Sequence, residues 1–271
     1  MSMDWVALSA PWLSMESEVE MAHRPVLDGI MERAGLRAGQ HVLDIGFGMG
    51  SSLLLAADAV GPGGSVTGID IAPPMVARAA ERVPDHVQVI EGDAMEHGFE
   101  PGMFDAAISL FGSMFFADTG AAFANIRKAM RPGAQLTIAA WGPPPSNPWF
   151  GIGRAAVEGH FGPQERPDPA SPGPFRFADP AVALEALEAA GWDARVETVD
   201  LLLTPSGGIG AVADFHMVVG AAPMLLGQLE PSEADRAVVR AALAERFAGF
   251  AQDGAVRVPA VIHFIMATAR G

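Results

Sequence analysis

Short apolar runs recur along the first half of the chain, and between them lie stretches whose apolar residues return every three or four positions. His41 to Ile45, Ser65 to Ile71, Val87 to Glu91, Phe104 to Leu110 and Gln135 to Trp141 read as strands. Ser51 to Val60, Pro73 to Val83 and Gly120 to Met130 read as helices, the last closed by Arg131-Pro132-Gly133. Five strands joined by crossovers of this size predict a parallel, doubly wound α/β sheet, because parallel neighbours need a long connection. Asp179 as N-cap, Pro180 at the first helical position and Gly191 past the last turn bracket a further helix. Arg195 to Leu203 and Val256 to Ala269 read as closing strands, with two mostly helical stretches between Gly207 and Phe250. Strands that follow one another with only a helical excursion predict an antiparallel edge on the parallel core. The Pro- and Gly-crowded segment from Gly142 to Pro180 reads as an insertion.

Composition narrows the chemistry. With 271 residues, half of them apolar, one large core is feasible, and an α/β fold of this length is read as one domain with insertions. A net charge of -15 argues against nucleic acid, whose backbone demands clustered Lys and Arg, and favours a small neutral or cationic partner. The stretch Met1 to Glu20 is acidic and unlike a secretory signal, and the uncharged run from Pro132 to Gly153 is interrupted by prolines. No membrane partner and a cytoplasmic location are therefore expected. Cysteine is absent, which excludes disulfides, thiolate metal sites and cysteine nucleophiles. Tyrosine is absent as well, so any general base must be His, Asp, Glu or a water they hold.

The densest chemical signal is Val42-Leu43-Asp44-Ile45-Gly46-Phe47-Gly48-Met49-Gly50, an apolar strand running into alternating glycines and then a helix. Glycine lets the backbone turn sharply beside a ligand, and a helix N-terminus offers free N–H groups. Asp70 and Asp93 each end a following strand, where open α/β sheets bind ligands. Asp70 stands where an acid accepts from ribose hydroxyls, and Asp93 could accept from an adenine amino group. A helix cap or a turn is the commoner fate of a single Asp.

The pattern resembles the class I S-adenosylmethionine-dependent methyltransferases, particularly the ubiquinone/menaquinone-type branch acting on small molecules. The likeness is carried by Leu43 to Gly50, Val66 to Ile71 with Pro74-Met75, Gly92-Asp93-Ala94, Phe104 to Ser109 and Met130 to Ala134. It implies a Rossmann-like α/β/α sandwich, S-adenosylmethionine as methyl donor, S-adenosylhomocysteine as product, and no metal. It further implies that Gly46, Phe47, Gly48 and Gly50 line the methionine part while Asp44 steers its ammonium. Asp70 and Ile71 would take the ribose and its surroundings, Met75 would cover an adenine face, Asp93 and Ala94 would read the adenine edge, and Ser109 would lie beside the methionine moiety. Phe47 and Met49 stand where the family more often has small or polar residues, and Leu110 where it often has Arg. Along the chain the resemblance divides residues 1–35 as a helical lid, 36–141 as the cofactor-binding core and 142–271 as sheet completion with substrate-cap insertions.

Methyl transfer from a sulfonium needs alignment and exclusion of water more than a catalytic triad. The acceptor pocket is therefore sought in the segments outside the shared sheet, with Trp5, Trp12, Met15, Phe111, Met114, Trp141, Trp149, Phe175 and His216 as candidates, each of which packing alone could also explain. His23 and His216 are the candidate bases, Glu16, Glu18 and Glu20 could serve instead, and a solvated helix face is the simpler account of that Glu cluster. Two rivals stand beside this reading: a nicotinamide (NAD(P))-dependent oxidoreductase, disfavoured because Ser51 takes the place of its third glycine, and a non-catalytic S-adenosylmethionine-binding regulator. The assembly is expected to be a monomer or a homodimer.

Overall fold

Strands β1 (His41–Ile45), β2 (Ser65–Asp70), β3 (Val87–Glu91), β4 (Phe104–Leu110), β5 (Met130–Trp141), β6 (Trp192–Leu203) and β7 (Val258–Ala269) form one seven-stranded sheet, ordered β3-β2-β1-β4-β5-β7-β6. These are features of a computed structural model that describes residues 5–166, 168 and 171–271. The first four residues of the expected lid and residues 167, 169 and 170 of the expected insertion lie outside the described residues. Neighbours among β1 to β5 pair in parallel, whereas β7 is antiparallel to both β5 and β6. The reversed strand is thus the penultimate one, and β6 at the edge runs with β1 to β5.

Helices α1 (Trp5–Ser14), α2 (Glu16–Ala34), α3 (Ser51–Val60), α4 (Pro73–Ala80), α5 (Thr119–Ala129), α6 (Pro148–Phe161), α7 (Ala181–Ala189), α8 (Ile209–Val218), α9 (Ala221–Leu226) and α10 (Glu233–Ala248) complete the fold. The period-two alternation of strands delivers side chains to both faces of the sheet. On one face Phe264 of β7 lies so close to Gly29 of α2 that a Cβ there would be 2.6 Å from the ring, and the Arg33 guanidinium covers the same ring at 4.1 Å. On the other face the buried Trp192 of β6 donates its indole N–H to the Phe123 carbonyl of α5 at 3.2 Å.

Because β6 runs with β1 to β5, the carboxyl tips of six strands share one edge. Helix α6 follows β5 there, and α8, α9 and α10 fill the connection from β6 to β7. These four helices pack on one another and cap that edge. Three helices stand where two helical stretches are expected, since Gly220, at φ +103, breaks α8 from α9.

Other boundaries differ for local reasons. Helix α4 stops at Ala80, short of Val83. The strand expected from Gln135 begins at Met130, and residues 131–134 bulge out between the pairs Met130 to Phe104 and Gln135 to Ala106, with Gly133 at φ +79. Asp179 accepts the Ala181 N–H at 3.0 Å, but Pro180 rather than Asp179 is the N-cap, and α7 starts one residue later than expected. The last strand starts at Val258, because Ala255–Val256 pairs instead with Ala251–Gln252 in a small hairpin.

Candidate functional site

Strand β1 delivers the chain to the shared edge at Ile45, and the next residues need glycine. Gly46, Gly48 and Gly50 take φ values of +69, +57 and +93 in the left-handed region, where a Cβ is strained. Gly46 has a second constraint: a Cβ would lie 2.9 Å from the Cα of Gly112, just past β4. The tips of β1 and β4 therefore touch glycine to glycine. Gly112 was not singled out from the sequence, although a glycine two residues beyond a strand end at the binding edge is the available signal. Gly50 leads into α3 without a side-chain cap, leaving the first-turn N–H groups of that helix to solvent or a ligand.

The two unusual loop residues point into the protein. Phe47 and Met49 are both buried, and the Phe47 ring lies over Gly68 of β2, where a Cβ would come within 2.6 Å of it. Glycine on β2 makes room for the larger residue in the loop, so the Phe47 departure is an exchange of core volume.

Beneath the loop, Asp44 is fully buried and neither carboxylate oxygen has a hydrogen-bond partner. Burial pushes its pKa up to about 7; the Ser52 hydroxyl on α3 opposes the shift without closing a hydrogen bond, and the charge of Asp70 adds to it. A buried carboxylate is ordinarily paired, so this one fits a cationic group delivered by a ligand. Asp70 at the tip of β2 accepts the Gly48 N–H at 2.8 Å and the Ala72 N–H at 2.9 Å; burial raises its pKa and these bonds oppose the rise. Its carboxylate thus ties the glycine loop to β2 while each oxygen keeps a lone pair. Ile71 beside it is half exposed, and Met75 on α4 is buried. Asp93 past β3 accepts the Met95 N–H at 2.8 Å, with Ala94 buried next to it. Ser109 is fully buried: its hydroxyl donates to the Ile45 carbonyl at 2.9 Å and accepts from the N–H and hydroxyl of Ser113. It joins β1 to β4 directly under the glycine contact.

The expected acceptor residues fall into one group and some outliers. Phe111 and Trp141, at the tips of β4 and β5, stack with centroids 4.4 Å apart and planes 3° from parallel. Phe111 holds φ +62, a conformation that costs a bulky residue about 1–3 kcal/mol and persists only where packing fixes it. His23 sets an edge against Phe111, Trp141 and Trp149, and His216 packs on Trp149 at 4.3 Å. Phe175 joins through Phe150, which touches Trp141. Trp5 instead meets Phe115, next to the buried Met114, while Trp12 and Met15 pack half-buried on the core.

The Glu cluster on α2 is not the solvated face that sequence alone favours. Glu16 pairs with Arg78 and Arg82 of the α4 region, and Glu20 pairs with Arg82. Arg82 in turn donates to the Met49 carbonyl at 2.8 Å, so α2 is fastened to the glycine loop through a guanidinium that the sequence reading missed. Among the described residues no group of His, Asp and Glu is placed to hold a metal ion, and no helix is long and apolar enough to cross a membrane.

With this geometry in place, comparison with known proteins is informative. Residues 42–133 match the family model for a methyltransferase domain. Nocamycin O-methyltransferase of Saccharothrix syringae is 38% identical over 138 residues, covering 49% of this chain and 49% of the relative. Demethylmenaquinone methyltransferase of Thermus thermophilus is 35% identical over 119 residues, covering 43% of this chain and 53% of the relative. The chain thus spans about half the length of these curated relatives. Among solved structures, phosphoethanolamine N-methyltransferase 2 of Haemonchus contortus, in complex with phosphomonomethylethanolamine and S-adenosylhomocysteine, superposes with a TM-score of 0.53 at 20% identity, over 91% of this chain and 53% of that one.

Proposed function

We propose that this chain, a class I S-adenosylmethionine-dependent methyltransferase, moves the methyl group of S-adenosylmethionine to a small-molecule acceptor by in-line displacement and releases S-adenosylhomocysteine. The observation that carries the reading is Asp44: a buried carboxylate without a partner, under a glycine loop, at the tip of the first strand of the matched domain. An α-ammonium group completes it. The open N–H groups at the start of α3 suit the methionine carboxylate, and the remaining lone pairs of Asp70 suit the ribose hydroxyls. Ile71 and Met75 offer apolar cover for an adenine, with Asp93 and Ala94 at its edge. Ser109 acts by fixing the β1 and β4 tips between which the donor lies.

The acceptor belongs under the cap of α6, α8, α9 and α10, beside the Phe111 and Trp141 stack, where water is excluded and reactants can be held in line. A net charge of -15 supports a small metabolite in place of a nucleic acid. A nicotinamide dinucleotide carries its positive charge on a pyridinium nitrogen without N–H, so it offers Asp44 no ammonium to donate to its unpartnered oxygens. Calorimetric titration with S-adenosylmethionine and with NAD tests the donor, and S-adenosylhomocysteine release with a panel of acceptors tests turnover. Binding of NAD in preference to S-adenosylmethionine defeats the proposal.

A further inference from the structure

His23 on α2 and His216 on α8 come from distant parts of the chain, yet both lie against Trp149, with ring centroids 5.9 and 4.3 Å away. His23 also adjoins Phe111 and Trp141, at the strand tips where a methyl donor and an acceptor must meet. Its Nδ1 lies 2.9 Å from the Val19 carbonyl, which can only accept, so Nδ1 carries the proton and Nε2 is left as a bare acceptor. His216 is buried, and its Nε2 has no partner. One imidazole nitrogen thus stands ready to receive a hydrogen bond, and a second is unpartnered, in an otherwise aromatic enclosure.

Among the described residues the nearby ionised groups with partners are taken up by one another: Glu16 and Glu20 with Arg82 beside α2, Arg24 with Asp28 on α2, Arg154 with Glu158 on α6, and Asp214 on α8 with Arg240 on α10, while Glu18 on α2 forms no ion pair and has no ring contact with either imidazole. Burial holds His23 at about 4 and His216 at about 3, the nearness of His23 adding to the latter, so both are neutral near pH 7. A carboxylate acceptor finds no cation here. An ammonium finds no carboxylate, and the facing sides of Phe111 and Trp141 are spent on each other and offer it no open π surface between them. What fits is an uncharged, flat molecule that donates a hydrogen bond from its nucleophilic atom.

We propose that the acceptor is a phenolic or enolic hydroxyl compound seated beside Phe111 and Trp141 with its hydroxyl on His23 Nε2, and that the reaction is O-methylation. This rests on the methyltransferase reading. The oxygen lone pair forms the new bond to the methyl carbon while the carbon–sulfur bond breaks with its electron pair left on sulfur. The hydroxyl proton passes to His23 Nε2 and from there to water, so the acceptor leaves as a neutral methyl ether. The imidazole is neutral near pH 7, so Nε2 is free to take the hydroxyl's hydrogen bond and, as the new bond forms and the hydroxyl turns acidic, its proton.

The test follows S-adenosylhomocysteine release by the full chain with phenol, cyclohexane-1,3-dione, benzylamine and benzoate as probes, alongside calorimetric affinity for S-adenosylmethionine. The proposal expects at least one of the two hydroxyl probes to turn over tenfold or more faster than benzylamine or benzoate. It also expects His23→Ala and the shape-keeping His23→Phe to lose a hundredfold or more in kcat/KM with donor affinity within twofold of wild type. Equal or faster turnover of the amine or the acid overturns it, as does inertness of both hydroxyl probes in a protein that binds the donor, or full activity of a folded His23→Phe. Failure of the wild type to bind the donor instead defeats the reading beneath it.

Discussion

Asp44 concentrates the account at the scale of a single residue. Raising its carboxyl from 3.8 to about 7 corresponds to about 4 kcal/mol of folding free energy that the ligand-free protein forgoes above neutrality. The folded pKa is raised, so the penalty is absent below the unfolded value near 4, grows as pH climbs and is complete above about 7. Asp44→Asn is therefore expected to raise the thermal midpoint of the ligand-free protein at pH 8, with the gap over wild type narrowing toward pH 5, as differential scanning fluorimetry will read. An unchanged or lowered midpoint at pH 8 contradicts the assigned burial cost. Asp70→Ala removes the acceptor of the Gly48 and Ala72 N–H groups as well as the proposed ribose contact, and is expected to weaken donor binding by about 1–3 kcal/mol in calorimetry. The strand ends and alternating glycines made these two acids legible in sequence. Gly112 and Arg82 were not, because their roles exist only when β4 and the α4 region meet the glycine loop in space.

At the scale of elements, α2 illustrates how a local defect is mended by a distant strand. Pro25 lies inside the helix and has no N–H for the Met21 carbonyl one turn back. Thr204, just beyond β6, supplies the repair: its hydroxyl donates to the Met21 carbonyl at 2.9 Å, and its N–H holds the neighbouring Ala22 carbonyl at 3.2 Å. Thr204→Val is expected to cost about 1 kcal/mol in urea unfolding, and less when Pro25→Ala restores the helical donor. Equal costs in the two backgrounds would show that the hydroxyl is not serving the proline gap. Arg82→Ala, which frees α2 from the Met49 carbonyl, is expected to weaken donor affinity by about 1 kcal/mol, whereas deleting residues 1–14 leaves Glu16 and Glu20 on Arg82 and is expected to lower turnover far more than donor affinity. Strands β1, β3 and β4 and helix α3 were readable to the residue, since each has an apolar run closed by a turn. The start of β5 was not, because pairing with β4 recruits Met130 across a bulge that propensity reads as a helix stop.

For the whole molecule, topology does the assembling. Six strand tips share one edge, the matched domain supplies the loop and the acids there, and the connections after β5 and β6 grow into the helical cap. The doubly wound core was legible because crossover lengths dictate parallel pairing. The exact place of β7 was not, since chain order does not say that the last strand inserts beside β5. Nor could sequence unite His23, Trp149 and His216, whose contact depends on how α2, α6 and α8 pack. The central claim is that an amino-acid ammonium completes the buried carboxylate at the tip of β1, and binding must then expel the proton that Asp44 holds below about pH 7. The most direct measurement is calorimetric titration of S-adenosylhomocysteine between pH 5.5 and 7 into wild type and Asp44→Asn. The account predicts wild-type affinity rising with pH, by up to about tenfold per unit with proton release, and a weak, pH-independent affinity in the variant. Equal affinities in the two proteins, or a wild-type affinity flat across that range, would contradict it.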